Sequence, residues 1–250
     1  HDGWIRAVAV SPDGKQVATA GNDNLIKLWN AASGKLERTL TGHESHVYNI
    51  AYHPAGNDLV SCDLKGVVKH WTLADGKCQR DIKIEALHKF DPTFQADIGG
   101  ARSMAFNADG TKLALGGITE VTNAFAGIGV PAVAVLDWEA GKQVQFHRPK
   151  AATRGATWGL AYHPEGFLIA AVGGGGGGFF YFYKEDAANP VHEVKLKSSA
   201  RDMHLHADQL QLATAHYDNR VRIHRLDKKA EPPAKVAKDD KPAEKPAEKK

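Results

Sequence analysis

Apolar and polar residues alternate with a period of two along short runs through most of the chain, and no stretch shows sustained helical periodicity. "IRAVAV", "QVATAG" and "IKLW" each direct apolar side chains to one face, as half-buried strands do. The segments joining such runs are turn sequences: "SPDG", "HPAG", "NADG" and "HPEG" between first and second strands, and "GNDN" between second and third. In the first two units a polar "SGK" or "DGK" turn leads to a fourth run, "LERTL" or "CQRDIKI". The pattern predicts short antiparallel strands in groups of four.

The groups repeat. "HDGWIRAVAVSPDGKQVATAGNDNLIKLW" aligns without gaps on "HESHVYNIAYHPAGNDLVSCDLKGVVKHW", 42 residues later, so that His1 falls on His43, Pro12 on Pro54, Gly14 on Gly56 and Trp29 on Trp71. A third copy starts near Arg102 with "RSMAFNADGTKLALGG", is interrupted, and resumes as "AVAVLDW", ending at Trp138. A fourth reads "WGLAYHPEGFLIAAVGG" then "GFFYFYK", with "VHEVKLK" as its outer strand, and a fifth reads "RDMHLHADQLQLATAHYDNRVRIH". Four strands in about 40–45 residues is the period of a propeller blade.

With Gly42–His43, the His1 start, Asp23, and the strand-ending Trp29 and Trp71, the chain resembles the WD-repeat β-propeller family. The resemblance covers residues 1–227 and implies an all-β propeller of four-stranded antiparallel blades. Five blades are visible, starting near residues 1, 43, 99, 155 and 198. Blade five lacks a fourth strand, and the expectation is a seven-blade ring truncated at its N-terminus, so that the chain either closes imperfectly or shows a gap between blades one and five. The family further implies a hydrogen-bonded tetrad inside a blade, carried by His1, Thr19, Asp23 and Trp29. Copy two keeps His43, Ser61 and Trp71 but has Lys65 at the Asp position. His, Asp and a hydroxyl are also the parts of a hydrolase. Catalysis needs an exposed nucleophile beside an oxyanion pocket, whereas Thr19 falls mid-strand, so the set reads as a structural clamp and the chain as a non-enzyme.

In the family, residues at the start of each first strand ring the top opening of the central channel. Here these are Arg6, Tyr48, Arg102, Trp158 and Arg201, with Trp4 and His46 two residues earlier in copies one and two, and Tyr217 joins them from copy five. Arg, Trp and Tyr are enriched at binding hot spots, and Arg pairs with carboxylates and phosphates. Two insertions, around residues 85–96 and 118–131, and the run Gly173–Gly178 emerge at the same end as a wall or lid. The glycine run leads into a strand, so it lacks the following helix that phosphate cradling requires, and it reads first as a tolerated surface loop. His204 and His206 read as ordinary histidines rather than metal ligands.

Charge sharpens this picture once divided. The chain carries a net +3, and residues 228–250, with eight Lys against five acids, account for all of it. The propeller is therefore near neutral and has no net-charge argument for nucleic-acid binding. The tail is Pro/Ala/Lys/Glu-rich and is expected to be disordered. Cys62 and Cys78 have no metal-ligand spacing and read as two thiols. No apolar run is long enough to cross a bilayer. Residue 1 is His with no signal peptide visible, so the N-terminus is expected to be missing, and a cytoplasmic address is the default expectation. The leading expectation is a monomeric scaffold, or part of a longer chain, that needs no cofactor and binds a protein or peptide with acidic groups. Two others stand beside it: a propeller enzyme or regulatory domain with a small-molecule pocket under the two insertions, and a tether acting through the tail.

Overall fold

Each repeat folds into its own antiparallel sheet, with strands paired in chain order. In the computed structural model, residues 1–123, 128–150, 153–174 and 177–226 are described. The tail at 228–250 lies outside the described residues. Blade one is β1 (Ile5–Val10), β2 (Gln16–Gly21), β3 (Ile26–Asn30) and β4 (Leu36–Leu40). Blade two is β5 (Val47–Tyr52), β6 (Asp58–Asp63), β7 (Val67–Thr72) and β8 (Cys78–Lys83). A 3-10 turn, Glu85–Leu87, and a hairpin of β9 (His88–Asp91) and β10 (Ala96–Gly99) follow. Blade three is β11 (Ser103–Phe106), β12 (Lys112–Asn123), β13 (Ile128–Asp137) and β14 (Lys142–His147). Blade four is β15 (Ala156–Tyr162), β16 (Leu168–Gly174), β17 (Gly177–Tyr183) and β18 (His192–Leu196). Blade five has three strands among the described residues, β19 (Ala200–Leu205), β20 (Gln211–His216) and β21 (Val221–Arg225).

The core lies between sheets rather than within one. Ala18, Ala20, Ile26 and Leu28 of blade one pack on Val47, Ile50, Tyr52, Leu59 and Trp71 of blade two, and similar clusters join blades two to three, three to four and four to five. Full burial of an aliphatic side chain such as Ile26 or Leu28 stabilises by about 1.5–3 kcal/mol, so each blade depends on its neighbour. The first strands pack successively in the order β1, β5, β11, β15, β19, and no comparable packing joins β19 back to β1. The two end faces are accordingly bare. Val8 is 63% exposed where its blade-two counterpart Ile50 is 4%, and Val221 is 73% exposed where its blade-one counterpart Ile26 is 0%. The expected gap between blades one and five is present in the described arc.

Three local expectations need correction. The interruption in copy three is not a loop placed between ordinary strands. Residues 118–123 and 128–131 extend β12 and β13 themselves, to 12 and 10 residues, with a register irregularity between Thr119 and Asn123, and residues 124–127 lie outside the described residues. Trp138 is not the strand tryptophan of its blade. Leu136 lies opposite Leu113 as Trp29 lies opposite Val17, while Trp138 follows the strand and packs at right angles on Phe106, with Arg80 over its face at 4.6 Å. In the described part of the glycine run, Gly173, Gly174 and Gly178 are close-packed, whereas Gly177 has open space around it and a φ of +99°. Gly173, Gly174, Gly177 and Gly178 lie in β16 and β17, and a Cβ on Gly173 would stand 2.6 Å from Ser199 Cβ. Residues 175 and 176 lie outside the described residues. Both cysteines are free, Cys62 buried in β6 and Cys78 exposed at the start of β8.

Candidate functional site

The first strands of all five blades bound a central cavity of about 600 Å³. Four of them carry a register break at one position: between Ile5 and Ala7, Val47 and Asn49, Thr157 and Gly159, and Ala200 and Asp202. The residues at those breaks are Arg6, Tyr48, Trp158 and Arg201. A bulge leaves its extra residue outside the regular ladder and re-aims the side chain. In blade three the equivalent Arg102 sits just before β11, with its amide on the Gly116 carbonyl at 2.7 Å.

The re-aimed side chains form one alternating row of rings and guanidinium groups. Arg6 lies 4.9 Å from the Trp4 ring and 5.1 Å from the Tyr48 ring. Arg102 lies 4.1 Å from Tyr48 and 5.8 Å from Trp158. Arg201 lies 4.6 Å from Trp158 and 5.2 Å from Tyr217. Each guanidinium is thus flanked by two aromatic rings from different blades or loops. Cation–π contacts at exposed sites are worth about 0.5–1 kcal/mol each. Trp4 and Tyr217 end the row, both 71% exposed. Arg6 Nε also donates to Asn22 Oδ1 at 2.8 Å, and Trp158 Nε1 donates to the Gly173 carbonyl at 3.0 Å.

Behind the row, a buried hydrogen-bond relay ties the start of blade one to its second and third strands. Trp29 Nε1 donates to Thr19 Oγ1 at 2.8 Å, Thr19 meets His1 Nε2 at 2.8 Å, and His1 Nδ1 meets Asp23 Oδ1 at 2.8 Å. The side chains of His1 and Asp23 are 2% and 9% exposed. The Thr19 hydroxyl is therefore hydrogen-bonded on both sides and ties the second strand to His1 and Trp29.

The model of the family described as "WD domain, G-beta repeat" matches residues 1–30 and 34–72. Those residues are WD-repeat sequence, and the described chain as a whole has the fold of a β-propeller. Relatives match short segments. The pre-mRNA-splicing factor PRP46 of Kluyveromyces lactis is 49% identical over 51 residues, which is 20% of this chain and 12% of that protein. The general transcriptional corepressor TUP1 of Saccharomyces cerevisiae is 43% identical over 49 residues, 20% of this chain and 7% of its own length. The target of rapamycin complex subunit LST8-1 of Arabidopsis thaliana is 46% identical over 44 residues, 18% of this chain and 14% of that protein. The shared segment thus spans about an eighth of the splicing factor.

Within this propeller the clamp is built three ways. In blade two, Lys65 does occupy the sequence position of Asp23, yet a carboxylate is present: Asp63 takes the His43 Nδ1 bond at 2.9 Å while Ser61 joins His43 at 2.6 Å and Trp71 at 2.7 Å. Asp63 aligns with Gly21, and a Cβ on Gly21 would stand 3.3 Å from His1 Nδ1 and 3.4 Å from Asp23 Oδ1. The last residue of the second strand and the turn residue two positions later therefore aim at one point, and a carboxylate from either completes the relay. In blade five, His216 fills the same strand-end position. Its Nδ1 donates to the Ser198 carbonyl at 2.9 Å, its Nε2 meets Thr214 Oγ1 at 2.7 Å, and His224 replaces the tryptophan at 3.0 Å from Thr214. Blades three and four have Leu115 and Ala170 at the hydroxyl position and form no such relay among the described residues.

His46 does not join the row. It is half-buried, and its carbonyl accepts the Leu64 amide at 2.9 Å. The two insertions do stand beside the row. Lys89 of β9 donates to the Val121 carbonyl at 2.6 Å, and Ile98, Ile118 and Val121 cluster with Ala156 and Trp158. His204 and His206 belong to no group able to hold a metal among the described residues, and no described helix is long and apolar enough to cross a membrane. Sequence reasoning missed Asn22 and the bulges. Asn22 is the residue before the clamp carboxylate in a "GNDN" turn, which was its only signal.

Proposed function

We propose that this propeller is a non-catalytic scaffold whose channel mouth captures a protein or peptide segment bearing acidic groups. The observation that carries the reading is the row itself. Three guanidinium groups are held between rings, and no carboxylate forms an ion pair with Arg6, Arg102 or Arg201 among the described residues. Flanking rings restrain each guanidinium while its N–H edge stays available for a bidentate acceptor. Ordering a flexible side chain costs about 0.5–1.5 kcal/mol on binding, and the cation–π contacts offset much of that before a ligand arrives. The relatives named as a splicing factor, a corepressor and a complex subunit support a role in assembly.

A fluorescein-labelled hepta-glutamate peptide, titrated against the full chain at low and physiological salt, tests the reading, with hepta-glutamine as its neutral counterpart. The acidic peptide should bind saturably, and the Arg6/Arg102/Arg201 triple alanine variant should lose that binding while keeping the wild-type melting temperature. Equal binding of both peptides, or of one peptide by both proteins, refutes it.

A further inference from the structure

Blades three and four leave a second cavity, of about 810 Å³, at the far end of their first strands. β15 links the two sites: Trp158 stands in the row, and Tyr162, four residues on and roughly 13 Å along a strand, lines this cavity. The volume is in the range of small-molecule sites, about 300–1,000 Å³. Its walls are apolar at Phe106, Val135 and Leu168, and the aromatic faces of Tyr162 and Tyr183 complete them.

Set into these walls are polar groups without partners. His147 and Tyr183 are each 2% exposed, with ring centroids 4.8 Å apart. His147 Nδ1 lies 2.7 Å from the Ala187 carbonyl. A carbonyl can only accept, so Nδ1 carries the hydrogen, and in the neutral ring Nε2 is a bare acceptor. Burial holds the imidazole below its usual pKa and so keeps it neutral. Nε2 has no hydrogen-bond partner among the described residues, and neither do the Tyr162 and Tyr183 hydroxyls, whose phenols burial holds protonated. These three polar atoms border a space large enough for a ligand to meet them. The lining carries charges of both signs: Lys112 pairs with Glu185, and Lys184, Asp109 and Asp186 also line the cavity. No single-sign field is present to select an ion.

We propose that this inter-blade cavity binds a small neutral aromatic molecule whose hydroxyl or amide group donates a hydrogen to His147 Nε2. The rings of Phe106, Tyr162 and Tyr183 supply the stacking surface, and the tyrosine hydroxyls are the remaining donors. This site is independent of the row at the channel mouth.

The test uses the full chain and two probes, 2-naphthol and 2-methoxynaphthalene, which differ in the one hydrogen offered to His147. Wild-type protein should bind 2-naphthol saturably with one-to-one stoichiometry and prefer it by about tenfold, the scale of one buried hydrogen bond. Val144, on β14 at the cavity wall, is 55% exposed. V144W should block both probes without affecting the fold. H147F should erase the preference while still binding both. If H147F does not fold, movement of the His147 ring signal in a wild-type NMR titration with 2-naphthol, and not with its methyl ether, replaces it. The Arg6/Arg102/Arg201 variant should bind 2-naphthol as wild type does. Absence of saturable binding, equal affinity for the two probes, or undiminished binding by V144W overturns the proposal.

Discussion

The blade-two carboxylate can be moved to where blade one keeps it. Asp63 accepts three hydrogen bonds: from His43 Nδ1 at 2.9 Å, the Lys65 amide at 2.9 Å and the Val67 amide at 3.0 Å. Its side chain is 3% exposed and that of His43 1%. Asp63→Gly strands all three donors, and removing one partner of a buried charged network costs about 3–5 kcal/mol. At about 2–4 °C per kcal/mol for a chain of this size, melting should fall by roughly 6–20 °C. Lys65→Asp alone places a second carboxylate beside Asp63 and should also destabilise, by like-charge repulsion. The double variant recreates the Gly21–Asp23 arrangement and should recover most of the loss, a coupling of about 3 kcal/mol in the double-mutant cycle. Urea unfolding followed by tryptophan fluorescence, with Trp71 reporting from inside the relay, measures all four proteins. A loss below about 1 kcal/mol for Asp63→Gly, or a double variant no more stable than that single one, would show that the two positions do not address one point and refute the clamp reasoning.

Thiol reactivity should divide cleanly. Burial pushes the Cys62 thiol up to about 12 and Cys78 is exposed, so DTNB should titrate one thiol in the native chain and both in denaturant. Burial also lowers the pKa of His147 and His224 in the folded chain. The unfolded state then binds more protons between the depressed values and the ordinary histidine value of about 6.5. Stability from these groups is full above that value and lost as pH falls through the depressed ones, and urea midpoints should drop from pH 7.5 to pH 5 less steeply in H147F than in wild type. The bare end faces should drive self-association of this chain. Val221→Lys with Ile223→Lys should raise solubility and leave melting unchanged, whereas the same pair at Ile26 and Leu28, which are 0% and 1% exposed, should prevent folding. Light scattering and circular dichroism check both.

While the relay of His1, Thr19, Asp23 and Trp29 came from the resemblance to the WD-repeat family, period-two alternation, the Pro/Asp/Gly turns and the 42-residue offset were enough to specify short antiparallel strands in groups of four. These are local properties: a strand's inward face and a tight turn are written in neighbouring residues. The residues of the row were legible as types at equivalent positions, because repetition places like positions at one end. Their alternation across blades was not, since ring-to-guanidinium contact depends on bulges and on how far one sheet is rotated against the next. Alignment likewise put Lys65 where a carboxylate was expected and could not see that Asp63, two residues earlier, reaches the same point. The cavity between blades three and four left no motif, because Phe106, His147, Tyr162 and Tyr183 come from four separate strands. Sequence decides what a strand turns inward; only packing of one blade on another decides what that inward side meets.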